Sequence, residues 1–397
     1  MNGFASANSE SAMPSNFVST RRLALSAGVL FFVNGATYGN WIPRLPEIKD
    51  QLGVSNSGLG VSLLGGGIGG LVGSLAVGAL MSRIGSRRLA LSTLYVLPIA
   101  MTLVAFVPRA WMFFVVLTCI GLFDVCADVA INAQGVIAQE RLGRSIMNRL
   151  HGMWSLGFAS GTIVGSLGSG LGVDLKIQVV AVAVLLVLAI RYVAPSLASV
   201  DPSHQKNGAS TPSLRRLGVL ALALVVVGGA AIALEGMPNE WAALLLRDEF
   251  SIGSWAGFGT VAFGSGMLLG RFTGDHVQNR IGSERLFVVA MVLVLVGFVA
   301  VLATSWPAFA LTGLFISGTG QAVIFPRLYL LAARIPGWSA GAGLGALMVG
   351  LRVGGMITTV SMGTLADAYD LRFALALVAA VSFMLLSISN SVVSRRV

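Results

Sequence analysis

Apolar runs of about twenty residues, following one another with hardly a charge inside them, leave this chain few ways to fold. They centre on residues 24–42, 57–81, 89–108, 110–137, 147–171, 177–194, 216–238, 252–273, 286–305, 307–333, 339–366 and 373–393. A helix of about 20 residues crosses the hydrocarbon core of a bilayer. A membrane strand needs only about 10 and alternates in polarity, which these runs do not. Only 11% of the 397 residues are charged and 55% are hydrophobic, too few polar groups to cover a soluble domain. The expectation is an all-α membrane protein with twelve transmembrane helices, surrounded by lipid.

The basic residues set its orientation. With a cytoplasmic N-terminus, that side receives eighteen of them: Arg21, Arg22, Arg83, Arg87, Arg88, Arg141, Arg144, Arg149, Arg191, Lys206, Arg215, Arg216, Arg271, Arg280, Arg285, Arg334, Arg395 and Arg396. The other side receives six, Arg44, Lys49, Arg109, Lys176, Arg247 and Arg372, so both termini are expected in the cytoplasm. Dispersed between apolar runs, the net charge of +10 is a topology signal and gives no reason to expect nucleic acid.

Residues 1–20 read as a disordered cytoplasmic tail and 195–213, rich in Pro, Ser, Asn and Gly, as a cytoplasmic linker. The linker would separate an N-terminal six-helix bundle, 21–194, from a C-terminal one, 214–397. An internal repeat supports the division. Arg83-Ile84-Gly85-Ser86 recurs as Arg280-Ile281-Gly282-Ser283, an offset of 197 that also maps Gly121 onto Gly318, Asp124 onto Gln321, Ser155 onto Arg352 and Gly157 onto Gly354. Two parallel six-helix repeats are the pattern of a two-halved secondary transporter.

The third, sixth, ninth and twelfth runs have uncharged centres and should face lipid. The second, fifth, eighth and eleventh carry glycines four apart, as in Gly157–Gly161–Gly165 and Gly350–Gly354, a spacing that lets helix backbones approach closely. Polar residues concentrate in the first, fourth, seventh and tenth. Asp124, Asp128 and Asn132 form one stripe on the fourth helix. A carboxylate at mid-bilayer costs roughly 3 kcal/mol, which points to a proton or substrate site, with a static ion pair as the plainer alternative.

Glu235 precedes Gly236-Met237-Pro238, where a broken helix would open backbone to a cavity; Asn239 and Trp241 follow. Trp41 and Trp241 also suit interfacial anchors. His151 opens the fifth run and suits a proton relay or a structural contact. The candidates for proton coupling are Asp124, Asp128, His151, Glu235 and Arg352; those for substrate contact are Asn34, Tyr38, Asn132, Trp154, Asn239, Gln321 and Arg327. Asp124 and Arg352 lie at similar depths on opposite halves, so Arg352 is expected to pair with Asp124 or Asp128 in at least one conformation. Cys119 and Cys126 share one apolar run, and neither a disulfide nor a metal site is expected.

Gly78 to Arg88 resembles the signature loop of the major facilitator superfamily, with Ser82 where the signature carries an acid. Asp128-Val129-Ala130-Ile131-Asn132, His151-Gly152-Met153-Trp154-Ser155-Leu156-Gly157, Glu235-Gly236 through Trp241, and Gly270-Arg271-Phe272-Thr273-Gly274 are similar to bacterial YbjJ-like permeases, relatives of the fucose–proton symporter. The resemblance implies two six-helix bundles opening alternately around a central site, with Asp128 and Asn132 in substrate and proton coupling. Arg352 falls where that branch usually reads Gly-Pro-Pro.

The sequence thus points to a monomeric secondary transporter of a small organic solute in the inner membrane, coupled to protons as a symporter. An exporter of amphipathic or toxic compounds is the alternative within transport, and a non-transporting receptor or scaffold the alternative outside it. No Walker loop, nucleophile elbow or metal cluster suggests an enzyme or a cofactor.

Overall fold

A computed structural model describes residues 20–144, 146–198, 218–335 and 340–394. The tail read at 1–20, apart from its last residue, and the linker from 199 onward lie outside the described residues. Among those described there is no strand. The helices are α1 (Thr20–Gly39), the short α2 (Leu45–Leu52), α3 (Asn56–Thr102), α4 (Ala110–Leu142), α5 (Met147–Gly170), α6 (Leu175–Val193) and α7 (Val219–Asp248). They continue with α8 (Phe258–Ile281), α9 (Ser283–Leu302), α10 (Pro307–Gln321), α11 (Ile324–Ala333), α12 (Ala340–Ala368) and α13 (Leu371–Ser394). Eight of the described helical segments are long and apolar enough to cross a membrane. Helices α1, α5 and α8 are not among the eight.

The second and third apolar runs share the 47-residue α3, which folds sharply at Gly85 (φ 78°, ψ 161°). The fold between α8 and α9 falls at Gly282 (φ 84°, ψ 159°). These two glycines stand at the same place in the repeated Arg-Ile-Gly-Ser. Their shared conformation is open in practice only to glycine, so sequence repeat and backbone repeat coincide.

Helix α1 packs on α5 and α3 on α4, while α7 packs on α12 and α13 and α10 on α8 and α9. Between these two sets the main helix contacts are α3 with α12 and α5 with α8. Glycine makes the tightest of the approaches possible: a methyl group at Gly157 of α5 would collide with the Phe32 carbonyl of α1. Helices α6, α9 and α13 present rows of exposed apolar side chains, among them Ile177, Leu185, Val288, Val292, Met384 and Ile388. Such faces need lipid.

Three local expectations change. The tenth run is interrupted, α10 ending at Gln321 and α11 starting at Ile324. Pro326 has no N–H to give the Ala322 carbonyl, and its ring crowds that position. The seventh helix, by contrast, is not broken, for α7 continues through Pro238 to Asp248. Trp41 and Trp241 are buried, at 4% and 1% exposure, and anchor at no interface.

Candidate functional site

The stripe on α4 meets α1 and α5 at its centre. Asn34 donates through Nδ2 to Asp124 Oδ1 at 3.0 Å, and its own carbonyl accepts from the Trp154 indole at 2.7 Å. The Tyr38 hydroxyl, one turn along α1, adjoins the same carboxylate. Thus Asp124 is held by neutral donors from α1, and Trp154 is fixed by the amide between them. The Trp154 ring stacks on Phe158, centroids 5.5 Å apart and 10° from parallel, giving a flat apolar wall. One turn on, Asp128 is exposed and accepts from Asn132 Nδ2 at 3.1 Å. His151, also exposed, meets Phe31 edge to face and is within electrostatic reach of Asp128.

Asp128 and His151 on one set of helices and Arg271 of α8 on the other are exposed, which marks a crevice between the two sets. On its other side, Glu235 on α7 faces Gln321 at the end of α10 and lies within electrostatic reach of Arg271. Its Oε2 is buried without a hydrogen-bond partner. Gln321 Nε2 donates to the Ala231 carbonyl at 2.9 Å. Arg271 Nη1 donates to Ser155 Oγ at 2.5 Å, and the guanidinium lies 6.0 Å from the centre of the Trp154 ring. On α12, Arg352 Nη1 is 2.8 Å from where a Cβ on Gly70 would stand. It interacts electrostatically with both Asp124 and Asp128, yet neither carboxylate is within ion-pair distance. Among the described residues the expected Arg352–aspartate pair is therefore not formed in this conformation. Tyr329 of α11 stands among these charges, within electrostatic reach of Asp128, Glu235, Arg271 and Arg352.

Three of these residues escaped the sequence reading. Arg271 was counted with the cytoplasmic flank. In fact it lies ten residues before the end of α8, about 15 Å inside the helix, so the basic count on that side loses one member without losing its bias. Tyr329 carried no signal beyond its ring. Glu240 sits just beyond the apolar run and accepts from Thr359 Oγ1 at 2.8 Å, tying α7 to α12. Two candidates are placed in helix packing. Arg327, expected at the substrate, is buried, pairs with Glu284 at 2.8 Å and covers the Phe287 ring at 4.2 Å, tying α11 to α9. Asn239 donates back to the Glu235 carbonyl at 3.0 Å.

The crevice is sealed at the end opposite the chain termini. There Arg247 bonds the Pro46 carbonyl at 2.9 Å and Asp50 at 2.7 Å. The Asp367 carboxylate accepts from the backbone N–H groups of Asn56 and Ser57, both at 2.8 Å. Those N–H groups belong to the first turn of α3, so the carboxylate of α12 caps a helix across the seam. The Trp255 ring closes over Gly170 beside them. Outside the seal lies a cavity of about 600 Å³, lined by Arg44, Glu47, Asp50, Asp174 and Arg247 among others.

The sequence profile of the Major Facilitator Superfamily matches residues 27–326. The chain belongs to that superfamily. This Major Facilitator Superfamily protein is 28% identical over 355 residues to the membrane protein MosC of Rhizobium meliloti, covering 88% of this chain and 85% of that one. It is 26% identical over 313 residues to an uncharacterized MFS-type transporter of Yersinia pestis, with 78% and 79% covered. Solved structures share its fold. The nucleoside transporter NupG superposes with a TM-score of 0.77 at 14% identity, over 93% of this chain and 99% of that one. The fucose:proton symporter FucP of E. coli does so with 0.59 at 20%, over 94% and 98%.

Proposed function

We propose that this protein is a secondary active transporter, carrying a small organic solute together with protons by alternating access. Twelve membrane crossings form two six-helix halves, 21–194 and 214–397, joined by the linker at 195–213. The positive-inside bias places both termini in the cytoplasm of a bacterial inner membrane. The crevice of this conformation then opens to the cytoplasm and is shut outside.

One observation carries this reading. Asp124 and Asp128 lie inside an apolar helix between two helix sets tied together at one end, and Asp128 and His151 are nonetheless exposed. Carboxylates at that depth, with neutral donors and no cation within ion-pair distance among the described residues, suit loading and unloading of a proton. The superfamily and the two neighbouring transporters, one of them a fucose:proton symporter, support the same reading. Trp154, Asn34, Tyr38, Asn132 and Gln321 would contact the solute.

The test is uptake by purified protein in proteoliposomes, driven by an inward proton gradient. Solute accumulation that collapses with a protonophore supports the proposal. Equilibration that ignores the gradient removes proton coupling, and no movement of any solute removes transport.

A further inference from the structure

Two guanidiniums face the crevice, and the repeat explains where they stand. The offset of 197 relates position 74 to 271 and position 155 to 352. The first half carries Ser74 and Ser155 there; the second carries Arg271 and Arg352. Each seam between the halves therefore joins a serine-bearing helix to an arginine-bearing one: α5 with α8, and α3 with α12. On the first seam Arg271 bonds Ser155 and overhangs Trp154. On the second, Arg352 lies against Gly70, one turn from Ser74.

Arginine at mid-membrane depth needs an anion. The protein's own carboxylates do not fill that role here: among the described residues, none lies within 4.0 Å of either guanidinium. Two of them are hydrogen-bonded elsewhere, Asp124 to Asn34 and Asp128 to Asn132, while Glu235 faces Gln321 and stays outside ion-pair distance of Arg271. A guanidinium has five donors in a planar fork that matches a carboxylate, and the bond to Ser155 uses one of Arg271's.

We infer that the transported solute is a small organic carboxylate, its anionic group gripped by Arg271 and Arg352 of the second half and its body lying on the Trp154–Phe158 wall of the first. The inference rests on the transporter reading and names its substrate class. A carboxylate moving with one proton carries no net charge, which suits a crevice that pairs arginines on one wall with titratable aspartates on the other. Binding at both seams would also draw the halves together, because Arg271 and Arg352 reach α5 and α3 respectively.

The experiment is counterflow exchange in proteoliposomes with matched probes: glucuronate against glucose, quinate against inositol, benzoate against benzyl alcohol, and ethanolamine as a basic control. At least one acid should exchange while its neutral partner does not. Arg271→Gln and Arg352→Gln should each raise the half-saturating acid concentration roughly 10- to 100-fold, the worth of a charge-assisted hydrogen bond. Arg271→Lys, which keeps the charge and loses the fork, should fall between. Ser155→Ala provides a variant with both arginines intact and should weaken the acid only a few-fold. Melting temperatures of the detergent-solubilised variants identify any that fail to fold. If no acid exchanges, or if acid exchange is unchanged in both glutamine variants, the carboxylate assignment is overturned. The transporter reading falls separately, only if the neutral and basic probes fail as well.

Discussion

Asn34 and Asp124 are hydrogen-bonded at 3.0 Å, and the positions 197 residues further on, Ala231 and Gln321, are hydrogen-bonded at 2.9 Å. The same two helix faces are thus stitched at the same height in each half, but with different chemistry. In the first half the acceptor is a carboxylate. In the second it is a backbone carbonyl of α7, and the carboxylate stands on that same helix one turn away, as Glu235, at the position that matches Tyr38. Proton chemistry can therefore be asymmetric although the scaffold is repeated.

Asn34 holds two partners, so removing its amide strands both the Asp124 carboxylate and the Trp154 indole. An unsatisfied buried polar group costs about 1–3 kcal/mol. Asn34→Ala should lower the melting temperature by several degrees and reduce uptake at least tenfold. Asn34→Asp, which can still accept from Trp154 but places a second acid beside Asp124, should insert and yet transport poorly at neutral pH. Uptake of both variants at wild-type rates would reduce the amide to filler.

The seal at the end opposite the chain termini depends on few polar ties, and in the orientation proposed here that end faces outward. Arg247–Asp50 is solvent-exposed at Asp50 and contributes little by itself. Asp367 caps the first turn of α3 through two backbone bonds and the Ser57 hydroxyl. Asp367→Asn should weaken the closed end by about 1–2 kcal/mol, raising the outward-open population roughly tenfold. A cysteine placed at Ser166, buried beneath the seal, would report it. Labelling from outside by an impermeant maleimide should accelerate in the Asp367→Asn background, and an unchanged rate would remove Asp367 from the gate.

Gly85 and Gly282 make a paired test of the repeat. An alanine must adopt a backbone conformation that disfavours any Cβ, at a cost of about 1–3 kcal/mol. Gly85→Ala and Gly282→Ala should lower the melting temperature by similar amounts, whereas Gly152→Ala, whose Cβ meets open space, should not. Unequal losses at the two turns would mean that one of them relaxes.

The apolar runs announce the helices because a charge inside hydrocarbon is expensive, and the same expense singles out Asp124, Asp128 and Glu235 as candidates. Arg271 was hidden for a geometric reason. Near the edge of an apolar run, an arginine that flanks a membrane and one that enters a crevice have the same sequence context, and only the continuation of α8 to Ile281 separates them. Arg327 failed in the opposite direction. Its place inside the tenth apolar run made it a candidate for substrate contact, yet its charge is met by Glu284 on α9, a neighbour that no local pattern names. Glycine spacing located the close helix contacts, as where Gly157 of α5 meets α1 and Gly350 of α12 meets α7.

The last test separates the two aspartates. Asp124 is fastened to Asn34 and sits beside Tyr38, whereas Asp128 is exposed and bonded to the Asn132 side chain of its own helix. A carboxylate that must take a proton from one side and surrender it to the other needs access to water in each state, and Asp128 has it here. Asp128→Asn should therefore abolish accumulation driven by a proton gradient while leaving solute exchange at equal concentrations within about threefold of wild type. That exchange should also lose its dependence on pH, because the neutral amide mimics the protonated acid permanently. Asp124→Asn keeps an acceptor for Asn34 and should retain accumulation, with weaker solute affinity because the Trp154 wall is less firmly held. Arg352→Ala completes the set. If Arg352 meets Asp128 when the halves close on the cytoplasmic side, removing it should shift the pH dependence of transport without abolishing exchange. Accumulation by Asp128→Asn at wild-type levels, with loss in Asp124→Asn, would move the proton site one turn deeper along α4; retention in both would transfer it to Glu235 or His151.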